Sequence, residues 1–135
     1  MMKGSCLCGA VAFAAETPPS GLRIGFCSCP SCRKAHAAPF NAYASVPRAG
    51  FRWLRGLEQI RSYASSPGKQ RHFCGQCGSQ LVSERAGTDF VLLRVALLDE
   101  DPGVAPAEHI FRQYEVPWCD WDAPSIVHYE GEPSP

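Results

Sequence analysis

Three observations predict an all-β fold. Twelve glycines and twelve prolines fall among 135 residues, and both residue types interrupt helices. Several short runs alternate apolar and polar side chains, the period of a half-buried strand. Only residues 31–38 carry a helical pattern, and that segment is short. The first strand is expected over 10–15, where small apolar residues run up to the turn-forming Thr17-Pro18-Pro19-Ser20-Gly21. Residues 22–26 alternate and lead into Cys27. The helix follows, with Pro30 suited to its first turn and Pro39 suited to stop it. Residues 41–46 alternate again and end at Pro47. Runs at 51–54, 58–63, 80–84 and 90–97 complete the set, separated by glycines at 50, 56, 68 and 87. Residues 99–103 read as a loop. The tail from 123 is Pro-rich and is expected to fray over 131–135. No repeat or boundary divides the chain, so residues 1–135 are expected to form a single domain.

Apolar residues make up 45% of the chain and charged residues 19%, a balance that supports a packed core rather than disorder. At this length a domain buries roughly two thirds of its unfolded surface, so it needs no staples merely for being small. Thirteen basic and thirteen acidic residues cancel. There is no basic stripe for nucleic acid and no polybasic segment for anionic lipid. The N-terminal residues lack the apolar stretch of a secretory signal. The most apolar run, 90–98, contains Arg94 and is too short to span a bilayer. A cytoplasmic location is the resulting expectation. Thiols stay reduced there, so eight cysteines point to metal or redox chemistry.

Seven of the eight cysteines form three groups: Cys6-Leu7-Cys8, Cys27-Ser28-Cys29-Pro30-Ser31-Cys32, and Cys74-Gly75-Gln76-Cys77. On an extended strand the two residues of C-x-C sit about 7 Å apart on one face, near the upper limit for a disulfide but suited to one shared ion. Cys74-Gly75-Gln76-Cys77-Gly78 has the form of a zinc knuckle, with glycines that permit a tight turn. Cys6 and Cys8 supply two more thiolates from a distant part of the chain. The four together are expected to hold a structural Zn²⁺. The rival redox reading of C-x-x-C needs a thioredoxin-like βαβ setting, which the pattern lacks. Cys27, Cys29 and Cys32 supply three ligands for a second zinc. Three ligands describe a catalytic ion with an open position; a fourth from His36 or Cys119 would close it into a structural site. Spacing leaves both open. With seven thiolates bound to two Zn²⁺ the protein is mildly acidic.

These motifs resemble the glutathione-dependent formaldehyde-activating enzyme family. The resemblance is carried by Gly4-Ser5-Cys6-Leu7-Cys8-Gly9-Ala10-Val11, by the segment from Cys27 to Arg33, and by Pro39-Phe40. It continues through the segment from Phe73 to Ser79, then His109-Ile110-Phe111 and Pro117-Trp118. In family order these cover residues 4–118. The resemblance implies a β-tent fold, a structural zinc on Cys6, Cys8, Cys74 and Cys77, and a reactive zinc on Cys27, Cys29 and Cys32. A three-ligand ion is lost more readily, so partial occupancy is expected of the second site. The implied activity is that of a carbon–sulfur lyase acting on a thiol adduct such as S-hydroxymethylglutathione, with a small-molecule thiol, glutathione among them, as partner. The competing class is a non-catalytic binding module in which both metals are structural. Fold alone does not separate the two.

Around these groups, Arg33, Lys34 and Arg71 can hold the carboxylates of a glutathione-like substrate, with solvated surface charge as the default. His72 is placed to donate to a sulfur or to serve as an ordinary strand residue. His109 reads as a packed histidine. Phe51, Trp53 and Tyr43 are pocket or core aromatics, and Cys119 beside Trp118 reads as a small hydrophobe.

Overall fold

The computed structural model describes residues 1–133; the last two residues of the expected tail, Ser134 and Pro135, lie outside the described residues. The alternating runs assemble into two sheets. The smaller has three strands in the order β1 (Met2–Ser5), β2 (Ala12–Ala15), β5 (Phe51–Arg55). The larger has seven: β10 (Pro106–Ile110), β3 (Ile24–Cys27), β4 (Asn41–Pro47), β9 (Phe90–Arg94), β8 (Gln80–Arg85), β7 (Lys69–Cys74) and β6 (Ile60–Ser66). Every neighbouring pair is antiparallel except β10 with β3, which is parallel. The one α-helix among the described residues, α1, spans Pro30–His36, with Pro30 in the first turn and Ala37 closing it in the left-handed region at φ 48°. The all-β expectation holds, and the helix lies where its pattern was read.

Three strands escaped the sequence reading. β1 is four residues long and has no alternation of its own; it is held by pairing with β2. β7 reads Lys-Gln-Arg-His-Phe-Cys, too polar for a strand by composition. β10 begins with Pro106 at a sheet edge, where a missing N–H costs nothing. The run at 90–97 is shorter than expected, since Val95–Leu97 turns into a single 3₁₀ turn.

Cross-strand partners share a face of a sheet, as do residues two apart on one strand. One face of the large sheet carries Ala44, Val46, Val82, Val91 and Leu93, all buried, and packs on Phe13 and Ala15 of the small sheet. Phe51 and Trp53 close on the Phe13 ring with centroids 5.5 and 6.5 Å away, so both belong to the core. The opposite face is polar. The pairs Cys27–Asn41, Tyr43–Arg94 and Arg71–Ser83 place all six side chains on it. This is the face on which the second cysteine group stands.

Gly56 fixes the small sheet against the first cysteine turn. It has φ +82°, and an added Cβ would lie 2.2 Å from the Ala10 carbonyl oxygen. Both the strained torsion and the backbone clash oppose a side chain. Gly56→Ala is expected to destabilise the protein by about 3 kcal/mol, measured as a fall in the urea midpoint at unchanged slope. Among the described residues no helix is long and apolar enough to cross a membrane.

Candidate metal centres

The first centre is built from two turns. β1 ends at Ser5, so Cys6 and Cys8 do not share the extended strand that their spacing suggested. Instead the Gly9 N–H donates to the Cys6 carbonyl at 3.0 Å, with Gly9 at φ 78°. That turn brings the two Sγ atoms to 3.6 Å, far closer than an extended C-x-C allows. The second turn is closed by the Gly78 N–H on the Cys74 carbonyl at 2.8 Å. Cys8 Sγ lies 3.8 Å from Cys74 Sγ, and the sulfurs of Cys6, Cys8, Cys74 and Cys77 all lie within 4.8 Å of one another. A tetrahedron of sulfurs at a Zn–S distance of 2.3 Å has edges of about 3.8 Å. The donor set and its spacing therefore fit such an ion. Backbone N–H groups aim at the sulfurs, as with Val11 N to Cys6 Sγ at 3.3 Å. Bonding to the Ser79 hydroxyl and backbone pulls the Cys77 thiol down to about 5. Every cysteine is free of disulfides.

The second centre sits where β3 passes into α1. Cys27 is the last residue of β3, Cys29 caps the helix, and Cys32 lies in its first turn. Their three sulfurs lie within 4.8 Å of one another. The Cys32 N–H donates to Cys29 Sγ at 3.3 Å, the usual capping bond with sulfur in place of oxygen. The Cys32 thiol is pulled down to about 4, first by its bond with Cys27, then by Cys29 and by the Arg71 guanidinium. Cys27 is pushed up by the same bond and by burial. The three groups thus stabilise a thiolate among themselves, as a metal-binding set requires.

Neither open candidate for a fourth ligand joins this group. The set of mutually close donor atoms contains Cys27, Cys29 and Cys32 but not His36 or Cys119. His36 faces a cavity shared with Arg94, and burial pulls its pKa down to about 4, leaving it neutral at pH 7. Cys119 lines a different cavity of about 290 Å³ with Ser28, His109 and Trp121.

The basic residues divide. Arg71 is not a solvated charge: it is 3% exposed, donates through Nε to Ser65 Oγ at 2.9 Å, and points Nη2 at Cys32 Sγ, 3.8 Å away. Arg33 donates to the Ser28 carbonyl at 3.3 Å, bracing the loop between two cysteines. Lys34 is exposed and lines a cavity of about 490 Å³ with Arg71, Tyr63 and Gln80. His72 does not reach a sulfur. Its Nδ1 lies 2.5 Å from Ser62 Oγ and its Nε2 lies 2.6 Å from Glu84 Oε2, so both nitrogens are committed. Glu84 also pairs with Arg48. These partners explain how so polar a strand as β7 is held.

His109 supports the second centre. Its ring packs edge-on against Phe26, and its Nε2 lies 2.7 Å from Ser28 Oγ. Glu115 Oε1 lies 3.2 Å from Nδ1 and favours the proton there, which leaves Nε2 to accept from the serine hydroxyl. Ser28 is 1% exposed, so removing the ring orphans a buried hydroxyl. His109→Ala is expected to cost about 1–3 kcal/mol, and a second change, Ser28→Ala, is expected to recover part of it in a double-mutant cycle by urea unfolding.

The sequence profile of the family described as glutathione-dependent formaldehyde-activating enzyme matches residues 1–114. A Schizosaccharomyces pombe protein described as an uncharacterized lyase is 32% identical over 81 residues, covering 58% of this chain. The match spans only 54% of that relative's length. A Halomonas elongata protein, provisionally described as a glutathione-dependent formaldehyde-activating enzyme, is 28% identical over 128 residues, covering 89% of this chain and 80% of its own. A crystal structure of a Rhodobacter sphaeroides protein from structural genomics superposes with a TM-score of 0.65 at 26% identity, covering 80% of this chain and 99% of the other. The profile spans both cysteine centres and every strand of both sheets, and the chain belongs to the glutathione-dependent formaldehyde-activating enzyme family.

Proposed function

We propose that the chain is a zinc-dependent enzyme of carbon–sulfur bond chemistry, acting on a thiol and a small aldehyde or on their adduct, S-hydroxymethylglutathione being the type. The observation that carries this reading is that three thiols converge at the β3–α1 junction while His36 and Cys119 stay out of the group. Three protein ligands leave a position for substrate, whereas the four-thiol group is complete in itself. A zinc ion held by Cys27, Cys29 and Cys32 would supply a Lewis-acidic position that favours a thiol there as thiolate.

The chain's own residues do the rest. Cys29 and Cys32 are held by the first turn of α1, and Cys27 by its pairing with Asn41, so the set is preorganised by two elements. Arg71 lies against Cys32 Sγ and offsets part of the negative charge of three thiolates. His109, through Ser28, and Arg33, through the Ser28 carbonyl, fix the loop between Cys27 and Cys29. In the forward direction a sulfur–carbon bond forms, the carbonyl double bond opens, and the thiol proton ends on the former carbonyl oxygen. No oxidant or reductant is required, and the reverse is the lyase direction. The chain-specific substrate, the use of glutathione and a cytoplasmic location belong to this proposal. The competing reading, a module with both metals structural, draws on the burial of Cys27 and Cys32, at 5% and 4% exposure.

The test is exchange NMR on glutathione and ¹³C-formaldehyde with the zinc-loaded protein. The proposal expects exchange between free aldehyde and adduct faster than in the protein-free mixture. Equal exchange rates with both metals bound would favour the structural module.

A further inference from the structure

The C-terminal segment is not packed like the rest of the chain. Among the described residues, none of residues 99–133 is buried, although the segment carries Trp118, Trp121, Val127 and Tyr129, each more than half exposed. The chain exposes 8577 Å², against roughly 6,900 Å² for a compact monomer of its mass. The excess of roughly 1,600 Å² is twice the ~800 Å² that each partner buries in a standard interface.

Charge divides the chain at the same place. Residues 1–98 carry twelve of the thirteen basic residues and four of the thirteen acidic ones, a net +8; residues 99–135 carry one and nine, a net −8. Two Zn²⁺ on seven thiolates would leave the body at about +5, still opposite in sign to the segment. Residues 126–129 read Ile-Val-His-Tyr, β-branched and aromatic types suited to a strand, and the acidic Glu130 and Glu132 follow. Among the described residues this run pairs with no strand.

The two sheets end in four edge strands, and three of them accept such a segment poorly. β1 is covered by Leu98 and Asp99. β10 carries Glu108 and follows Asp99-Glu100-Asp101, so like charges oppose an acidic strand there. β6 has one arginine in seven residues, Arg61, whose guanidinium bonds to the carbonyls of Glu58 and Ile60. β5 pairs only with β2 and carries the exposed Arg52, Leu54 and Arg55. Among the described residues no carboxylate pairs with either arginine. An open edge offers unpaired N–H and C=O groups, and cations around a leucine match a strand that joins apolar side chains to acids. One chain leaves both halves of this pair unused. Two copies use both at once, each giving its segment and receiving the other's, so the contact closes with twofold symmetry.

We propose that the chain forms a reciprocal dimer in which residues 126–129 of each copy add as a strand to the open edge of β5 of the other. The dimer does not depend on the activity proposed above.

Sedimentation equilibrium of the full zinc-loaded chain, joined to hydrogen exchange of its backbone amides, tests this. The parent is expected to sediment at twice the chain mass. The β5 amides on the open edge are expected to exchange about tenfold or more slowly in the dimer than in the dilute monomer. Val127→Pro removes an N–H from an exposed residue outside both metal centres, and is expected to weaken the dimer about tenfold or more and to release those amides. Arg52→Glu, on the receiving strand, is expected to weaken it as well. A parent that stays monomeric at millimolar concentration would overturn the proposal, even with protected β5 amides, since the segment would then lie on its own chain. A dimer as tight in Val127→Pro as in the parent, or one whose β5 amides exchange as in the monomer, would also overturn it.

Discussion

Cys74→Ser is expected to abolish the cooperative fold. Cys74 is fully buried, packs with Cys6, Val11 and Leu81, and brings a sulfur to within 3.8 Å of Cys8. The four-sulfur group joins the turn after β1 to the turn between β7 and β8, segments 66 residues apart in the chain. A structural zinc held by these four sulfurs would contribute about 10–16 kcal/mol of apparent binding energy. The whole stability of a domain is only about 5–15 kcal/mol, so loss of one ligand exceeds what the remaining core can offset. Thermal unfolding by circular dichroism checks this: the variant should show no sigmoidal transition, and its zinc content should fall. A cooperative melt within a few degrees of the parent would place the stabilisation elsewhere.

Cys29→Ser should behave in the opposite way: a folded protein that has lost its chemistry. Cys29 is the helix cap, and serine is a good cap, so the bond from the Cys32 N–H survives the change. The apolar face of the large sheet does not touch this residue. The expected stability loss is therefore small, about 1–2 kcal/mol or a few degrees in melting temperature. The second metal, left with two thiolates, should be lost. Adduct turnover should fall roughly a thousandfold, corresponding to the several kcal/mol that a Lewis acid contributes. Global unfolding of this variant, in a parent that shows no turnover, would support the wholly structural reading.

Legibility followed local periodicity and failed where tertiary partners decided the matter. β2, β4, β5 and β8 alternate or cluster apolar residues and could be read directly. β7 could not, because its charges are stabilised by side chains on other elements: His72 by Ser62 and Glu84, Arg71 by Ser65 and by Cys32 of α1. The cysteine groups stood out by spacing, yet the shape of the first did not. A C-x-C pair on an extended strand would lie along one face; Gly9, in the left-handed region, folds these two residues into a turn instead. Spacing leaves the fourth ligand open, and position separates both candidates from the three thiols: His36 lines the Arg94 cavity, and neither it nor Cys119 is among the mutually close donors. Arg94 stands out in the sequence solely as a charge that breaks an apolar run.

The central claim is that seven cysteine sulfurs gather on two ions, the first of which joins Cys6 and Cys8 to the distant Cys74 and Cys77. Zinc per chain, measured by elemental analysis on reduced protein and paired with the zinc X-ray absorption edge, tests it most directly. The account predicts two zinc ions in the parent and one in Cys29→Ser, with the remaining ion surrounded by four sulfurs at about 2.3 Å. Zinc well below one per chain, a first shell dominated by nitrogen or oxygen, or a chain that stays folded after complete chelation would contradict it.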